Sequence, residues 1–242
     1  MVSTSPDQTV NRMTIHFKNL DTPLNFLLAE KERCLQWAND VVQGITTPLK
    51  LRHRKHSIIN HSITNNDWKT IEQIVGHRQS RVLRQRSALM ARQFGVVNRI
   101  VIDQYDVPEE MAELIQSSMF NTYGIPKDEC MPIVQIQNGG ELLHPHHGHA
   151  RKSSLFCLLQ GGDEVTKWYR ETKPFKVVDE FHIPDMSKLE VTSENVLEVN
   201  QWLLFNHQEW HSVHRKGDVG VRINLGIDFK TMNINECMEY FK

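Results

Sequence analysis

GGELLHPHHGHARKSSLFCLLQGGDEVTKWY, residues 139–169, is the stretch whose reading decides the fold. Inside it, Ser154–Leu159 and Val165–Tyr169 are short runs of apolar, aromatic and β-branched residues. Gly161, Gly162 and Asp163 lie between them, the pattern of two strands joined by a turn. Working outward, Ile133–Gln137 comes before this pair, and Phe175–Val178, Trp202–Phe205 and Val221–Phe229 come after it. Gly, Asp, Asn or Pro stands between most of these runs. Strands at this spacing, with no helices among them, predict an antiparallel sandwich or barrel.

Upstream the texture is helical. Leu24, Leu27, Leu28, Cys34, Leu35, Ala38 and Val41 recur at helical spacing across Thr22–Val42, with Pro23 suited to the first turn. Asp67 is placed to cap a long helix running to about Arg92, and Pro108 to open another that ends near Gly124. Val96–Ile102 reads as a strand between them. Residues 1–12 read as a polar, disordered tail. The expectation is a single domain over 13–242, helical to about residue 130 and a β-sandwich over about 131–230.

Composition narrows the field of functions. The chain has 242 residues, 39% hydrophobic and 24% charged, values usual for a globular protein. It has no run of about 18 apolar residues and no apolar signal core at its start, so no membrane is expected and a cytoplasmic location is the default. Cys34, Cys130, Cys157 and Cys237 form no CxxC or CxxH pairing and read as reduced, buried thiols. Net charge is −1, but Lys50–His56 and Arg78, Arg81, Arg84, Arg86 and Arg92 make part of the N-terminal half basic. No nucleic-acid motif accompanies that stripe and no aromatic residues interleave with it. Nucleic acid is therefore not the expected partner; a small-molecule substrate, anionic or nucleotide-like, is.

Histidine carries the chemistry. Four of them fall within six residues, His144, His146, His147 and His149, and a second group is His207, His211 and His214. Neutral imidazole is the commonest metal ligand, and ligands from two distant strands are how a β-sandwich builds a metal site.

The segments Gly139–Tyr169 and Trp202–Phe229 resemble the two metal-binding stretches of the iron(II)/2-oxoglutarate-dependent oxygenase superfamily. Small members often carry Pro-His-x-Asp-x-x-Arg in the first, then a strand and Thr-x-Trp-Tyr. In the second, His-Ser-Val is followed about ten residues later by an arginine opening an apolar strand. The resemblance covers roughly residues 130 to 230. It implies a double-stranded β-helix (jelly-roll, cupin-like) core in an α+β protein, with the N-terminal helices as buttress. It implies iron ligation by His146 and His211. Arg222 would bind the distal carboxylate of 2-oxoglutarate as a planar fork, helped by Asn224 two residues on.

The sequence departs from the family pattern at the carboxylate ligand, whose position holds Gly148 when Arg151 is aligned with the family arginine. The halogenase branch has glycine or alanine there and a chloride or bromide on the iron. This implies a radical halogenase using Fe(II), 2-oxoglutarate, O2 and chloride to convert a C–H bond into C–Cl or C–Br, with His146, Gly148 and His211 as its catalytic positions. Other readings stay open. A one-residue slip would make His147, His149 and His211 a three-histidine site. A hydroxylase of the same superfamily would use His149 or Glu141 as substitute ligand. A non-catalytic β-sandwich binding domain would use none. Asp228 and Glu209 are candidates to orient a ligand histidine, and Gln135 or Gln137 to reach the cosubstrate. Trp168 and Tyr169 read as core.

Overall fold

A computed structural model describes residues 15–20, 27–48, 51–52, 54–94, 101–138, 142–148, 151–162, 164–174, 185–215 and 220–242. The strand expected over Phe175–Val178 and the tail over residues 1–12 lie outside the described residues.

The order of elements is β1 (Phe17–Leu20), α1 (Leu28–Val42), β2 (Leu51–Arg52), α2 (Arg54–Thr64), α3 (Trp68–Val75), α4 (His77–Phe94), β3 (Val101–Asp106) and α5 (Glu109–Tyr123). Then come β4 (Cys130–Asn138), β5 (Leu142–His146), β6 (Ser153–Gln160), β7 (Glu164–Glu171), β8 (Leu189–Val196), β9 (Trp202–Asn206), β10 (Trp210–Arg215), β11 (Arg222–Phe229) and α6 (Ile234–Tyr240). All named strands pair antiparallel. Seven form one sheet in the order β1-β9-β6-β11-β4-β3-β2, and four form a second, β5-β10-β7-β8. The two sheets face each other as a double-stranded β-helix.

Alternation along each strand assigns the faces. On β11, Ile223, Leu225, Ile227 and Phe229 point outward into the main core. There they meet Leu27, Cys34 and Ala38 from α1 and its start, Met111, Ile115 and Met119 from α5, and Ile234 and Cys237 from α6. The helical buttress is therefore a lid over the outer face of the larger sheet. Burying each such aliphatic side chain is worth about 1.5–3 kcal/mol, which makes this the main reservoir of stability. Between the sheets a smaller core gathers Phe156, Leu158, Trp168, Leu197, Leu203 and Phe205. It closes one half of the inter-sheet space and leaves the other half to polar residues.

The helical stretch after Asp67 is two helices rather than one. Asp67 does cap α3, accepting from the Thr70 N–H. Gly76 then adopts φ 80° and ψ 163° and donates its N–H to the Glu72 carbonyl, which ends α3 before α4 begins. α2, α3 and α4 share a separate core of Ile59, Ile63, Ile71 and Leu83. The strand expected over Val96–Ile102 is described from Val101 and runs on to Asp106. All four cysteines are buried and free of disulfides. Burial pushes the thiols of Cys34, Cys130 and Cys157 up to about 12 and that of Cys237 to about 11. No described helix is long and apolar enough to cross a membrane.

Candidate active site

The polar half of the inter-sheet space is a half-open pocket with about 500 Å³ of empty volume, the solvent at its mouth included. His146, His211, Arg222 and Asn224 all line it, and so do Gln135 and Gln137. Of the residues read from sequence as one site, His146, His211, Arg222 and Asn224 thus meet in one cavity, and Gly148 does not.

His146 and His211 are brought together by the sheet itself. They are directly opposed in the β5–β10 ladder, and their ring centroids are 4.3 Å apart. The ladder is irregular here: Val213 opposes Leu143, so two residues of β5, His144 and Pro145, face the single Ser212. This is a bulge at a proline, a residue with no N–H to give the ladder. It corrects the parity so that Leu143 and His146, three residues apart, both face the pocket. His147 turns the other way, its ring 4.6 Å from that of Trp210 in an edge-on contact. The register that points His147 inward is not the one formed, and His149 and Glu141 lie outside the described residues.

Hydrogen bonds settle the tautomers. His146 Nδ1 lies 2.9 Å from the His144 carbonyl and His211 Nδ1 lies 2.8 Å from the Glu209 carbonyl. A carbonyl only accepts, so each Nδ1 carries the proton and each Nε2 keeps its lone pair. Glu209 thus orients the distal imidazole through its backbone rather than its carboxylate. Burial keeps both rings neutral: it lowers the pKa of His146 to about 4 and that of His211 well below the ordinary value, with the neighbouring imidazole adding to the effect on His211. Neutral imidazoles with fixed Nδ1–H groups and free Nε2 atoms are the donor set a divalent transition metal needs. Among the described residues no third histidine, cysteine or carboxylate completes a group able to hold an ion.

Gly148 does not line this pocket. Its N–H donates to the His207 carbonyl at 2.6 Å, and a Cβ built there would stand 2.9 Å from His207 Cβ and 3.1 Å from the Arg151 carbonyl oxygen. The glycine permits a close backbone approach between the β5–β6 and β9–β10 connections.

Arg222 stands on β11 directly across from Gln137 on β4, and Asn224 directly across from Gln135. Arg222 forms an ion pair with Glu164 of β7, whose other oxygen lies 3.2 Å from Arg215 Nε. All three are buried. Burial raises the Glu164 carboxyl, with both arginines pulling against that shift. The carbonyl oxygens of Gln137 and Asn224 have no partner among the described residues.

Sequence reasoning named Arg151, His207 and Asp228 singly but did not join them, with Ser154, into a second set. Arg151 Nη1 donates to both oxygens of Asp228 at 3.0 and 3.1 Å, and Ser154 Oγ donates to Asp228 at 2.6 Å. With that hydroxyl proton committed, His207 Nε2 must donate to Ser154 Oγ, 2.8 Å away. Asp228 therefore orients His207 rather than His146 or His211. His207 lies with its ring 5.7 Å from that of His211, in the pocket wall. It follows Leu203 and Phe205 in inward parity along β9, the signal that would have found it. Glu164 likewise shares parity with Thr166 and Trp168. His214 lies on the far face, bonded to Ser212 Oγ at 2.8 Å. Trp168 is wholly buried between the sheets and Tyr169 is buried on the other face, its hydroxyl 2.7 Å from Ser212 Oγ.

No family model and no curated protein matches the sequence. Several solved structures are similar in fold. One is SnoN, a non-heme alpha ketoglutarate dependent epimerase from nogalamycin biosynthesis, at 12% identity over 54% of this chain and 63% of that one, with a TM-score of 0.37. Another is the ribosomal oxygenase YcfD of Escherichia coli, at 13% identity over 57% and 34%, with a TM-score of 0.35. A third is a cupin superfamily protein from Desulfitobacterium hafniense, at 14% identity over 43% and 70%, with a TM-score of 0.27. The chain spans less than two thirds of the length of the first two. At this level of likeness the architecture rests on the chain's own strand pairing.

Proposed function

We propose that this chain is an iron(II)- and 2-oxoglutarate-dependent oxygenase, with His146 and His211 as the protein's metal ligands. The observation that carries the reading is the cross-strand imidazole pair, with both Nδ1–H groups tied to carbonyls and both Nε2 atoms free. When bound, the iron with 2-oxoglutarate and O2 supplies the oxidising power to attack a substrate C–H bond, 2-oxoglutarate leaving as succinate and CO2.

The chain's own residues bind and orient. Arg222 offers a guanidinium to the distal carboxylate of the cosubstrate, with Glu164 fixing its plane from behind and Asn224 beside it. Gln135 and Gln137 add amide groups on the same wall. Phe156, Leu203 and Phe205 form the dry floor that excludes water.

Oxygenation is favoured over halogenation. The halogenase reading needs an open coordination position at Gly148, and that glycine's free side is filled by His207 Cβ and the Arg151 carbonyl oxygen. Anaerobic titration with Fe(II) and 2-oxoglutarate, followed by chloride, tests both levels through the metal-to-ligand charge-transfer band. We expect a band that is absent in His211→Ala, retained in His147→Ala, weakened in Arg222→Lys (charge kept, fork lost) and indifferent to chloride. A band that moves with chloride would restore the halogenase. Absence of any band would leave a non-catalytic binding domain.

A further inference from the structure

The lobe formed by α2, α3 and α4 is electrically unlike the rest of the molecule. Residues 54–94 hold eight Lys and Arg against Asp67 and Glu72, a formal +6 in a chain whose total is −1. Both acids are already engaged. Asp67 accepts the Thr70 N–H as the cap of α3, and Glu72 accepts from His77 Nδ1 at 2.9 Å. Arg78, Arg81, Arg84 and Arg92 are exposed, and none forms an ion pair among the described residues.

Their placement on α4 is ordered. Ser80 and Leu83 are buried against the lobe's own core. Arg78, Arg81, Gln85, Ala88 and Arg92, at i, i+3, i+7, i+10 and i+14, form one stripe on the outward face. At 1.5 Å per residue that stripe is about 21 Å long, roughly six base-pair steps of 3.4 Å along a strand. Folding also supplies what the linear sequence lacked. Trp68 of α3 comes beneath the Arg84 guanidinium, 5.5 Å from it, so an aromatic ring flanks the ridge.

Two features of the ridge cost helix stability. Neither α2 nor α4 has an acid in its first turn; α2 begins with Arg54 and Lys55, and α4 has Arg78 and Arg81 near its start. Cations at the positive end of a helix are disfavoured, and an arriving anion relieves both. Guanidinium forks suit phosphate oxygens, and aromatic rings suit bases. Among the described residues of the lobe the exposed large apolar side chain is Leu89, far short of the apolar face with which a helix enters lipid.

We propose that the α2–α4 lobe binds the phosphodiester backbone of a nucleic acid, through Arg78, Arg81, Arg84 and Arg92. The lobe is attached through α2 to β3, whose Ile102 forms part of the pocket wall. The proposal does not depend on the metal site, and its test does not use it.

The test is fluorescence anisotropy of a labelled 20-nucleotide single strand with the full chain, at salt concentrations from about 50 to 200 mM. Four phosphate contacts predict saturable binding with a log–log salt slope of about −3. Arg78→Gln/Arg81→Gln/Arg92→Gln should weaken binding about tenfold or more and make the slope shallower by about 2. Glutamine is a good helix former, so the fold is kept, as far-ultraviolet circular dichroism would verify. Lys127→Gln/Lys173→Gln/Lys230→Gln removes the same charge from exposed positions elsewhere and should stay within about twofold of the parent. Equal losses in the two triples, or no saturable binding at the lowest salt, would overturn the proposal. So would tighter binding to phosphatidylserine vesicles or to polyglutamate than to the oligonucleotide.

Discussion

The two faces of β11 obey opposite rules. Outward, Ile223, Leu225, Ile227 and Phe229 are wholly buried among apolar side chains. Inward, Arg222, Asn224 and Asp228 are 5%, 2% and 3% exposed, nearly as buried but polar. Between them Gly226 leaves room for Phe156, whose ring would stand 2.9 Å from an added Cβ. The outer face stabilises by removing hydrocarbon from water. The inner face must recover the desolvation of each polar group through a partner. Asp228 has Arg151 and Ser154, and Arg222 has Glu164, but the carbonyl of Asn224 has none among the described residues. One strand therefore separates a stabilising face from a binding face by nothing more than side-chain alternation.

The largest effect that could break this division is on the outer face. Phe229→Ala should lower unfolding free energy by about 3–5 kcal/mol in urea, while leaving Fe(II) affinity of the folded protein unchanged. A loss of metal affinity in parallel would mean that the faces are coupled.

Next in size is acid sensitivity of the metal-free protein. His146 is held neutral with a pKa of about 4, below its ordinary 6.5, and His207 and His211 are shifted in the same direction by burial. Between those values the unfolded chain binds protons that the folded chain refuses. Stability contributed by the neutral rings is therefore present above pH 6.5 and lost as pH falls toward 4. His146 alone accounts for up to about 3 kcal/mol of that loss. Thermal melts between pH 7 and 4 check it; a flat midpoint would show imidazoles in contact with water.

The smallest effect sharpens the reading of the pocket's rim. Gly148→Ala should cost about 1–3 kcal/mol, because the new methyl meets His207 Cβ and a backbone oxygen rather than open space. A neutral substitution would reopen the case for an empty position beside the metal.

The sandwich was legible wherever side chains alternate about a buried face. The expected runs at 133–137, 154–159, 165–169, 202–205 and 221–229 each fall on an observed strand, from β4 to β11. β8 escaped notice because its residues are mostly exposed, and β5 and β10 because histidines and a bulge obscure their period. The helix break at Gly76 was hidden by an apolar rhythm that continues across it. Within the site, His146, His211, Arg222 and Asn224 were readable from spacing and family pattern. Their partners were not. Glu164 meets Arg222 from the opposite sheet, and Arg151 and Ser154, Asp228, and His207 converge from three separate segments. Such pairings are set by how sheets close on one another, which local periodicity does not encode.

The direct opposition of His146 and His211 in the β5–β10 ladder has a consequence for biogenesis. β5 is an edge strand of five residues, and a slip of one position would set Pro145 or His147 against His211 while leaving most of the sandwich intact. A chain zipped one step out of line would then look folded yet fail to load iron. On the proposed function, metal uptake would thus serve as proofreading, admitting to activity only those molecules whose edge strand has found its correct partner.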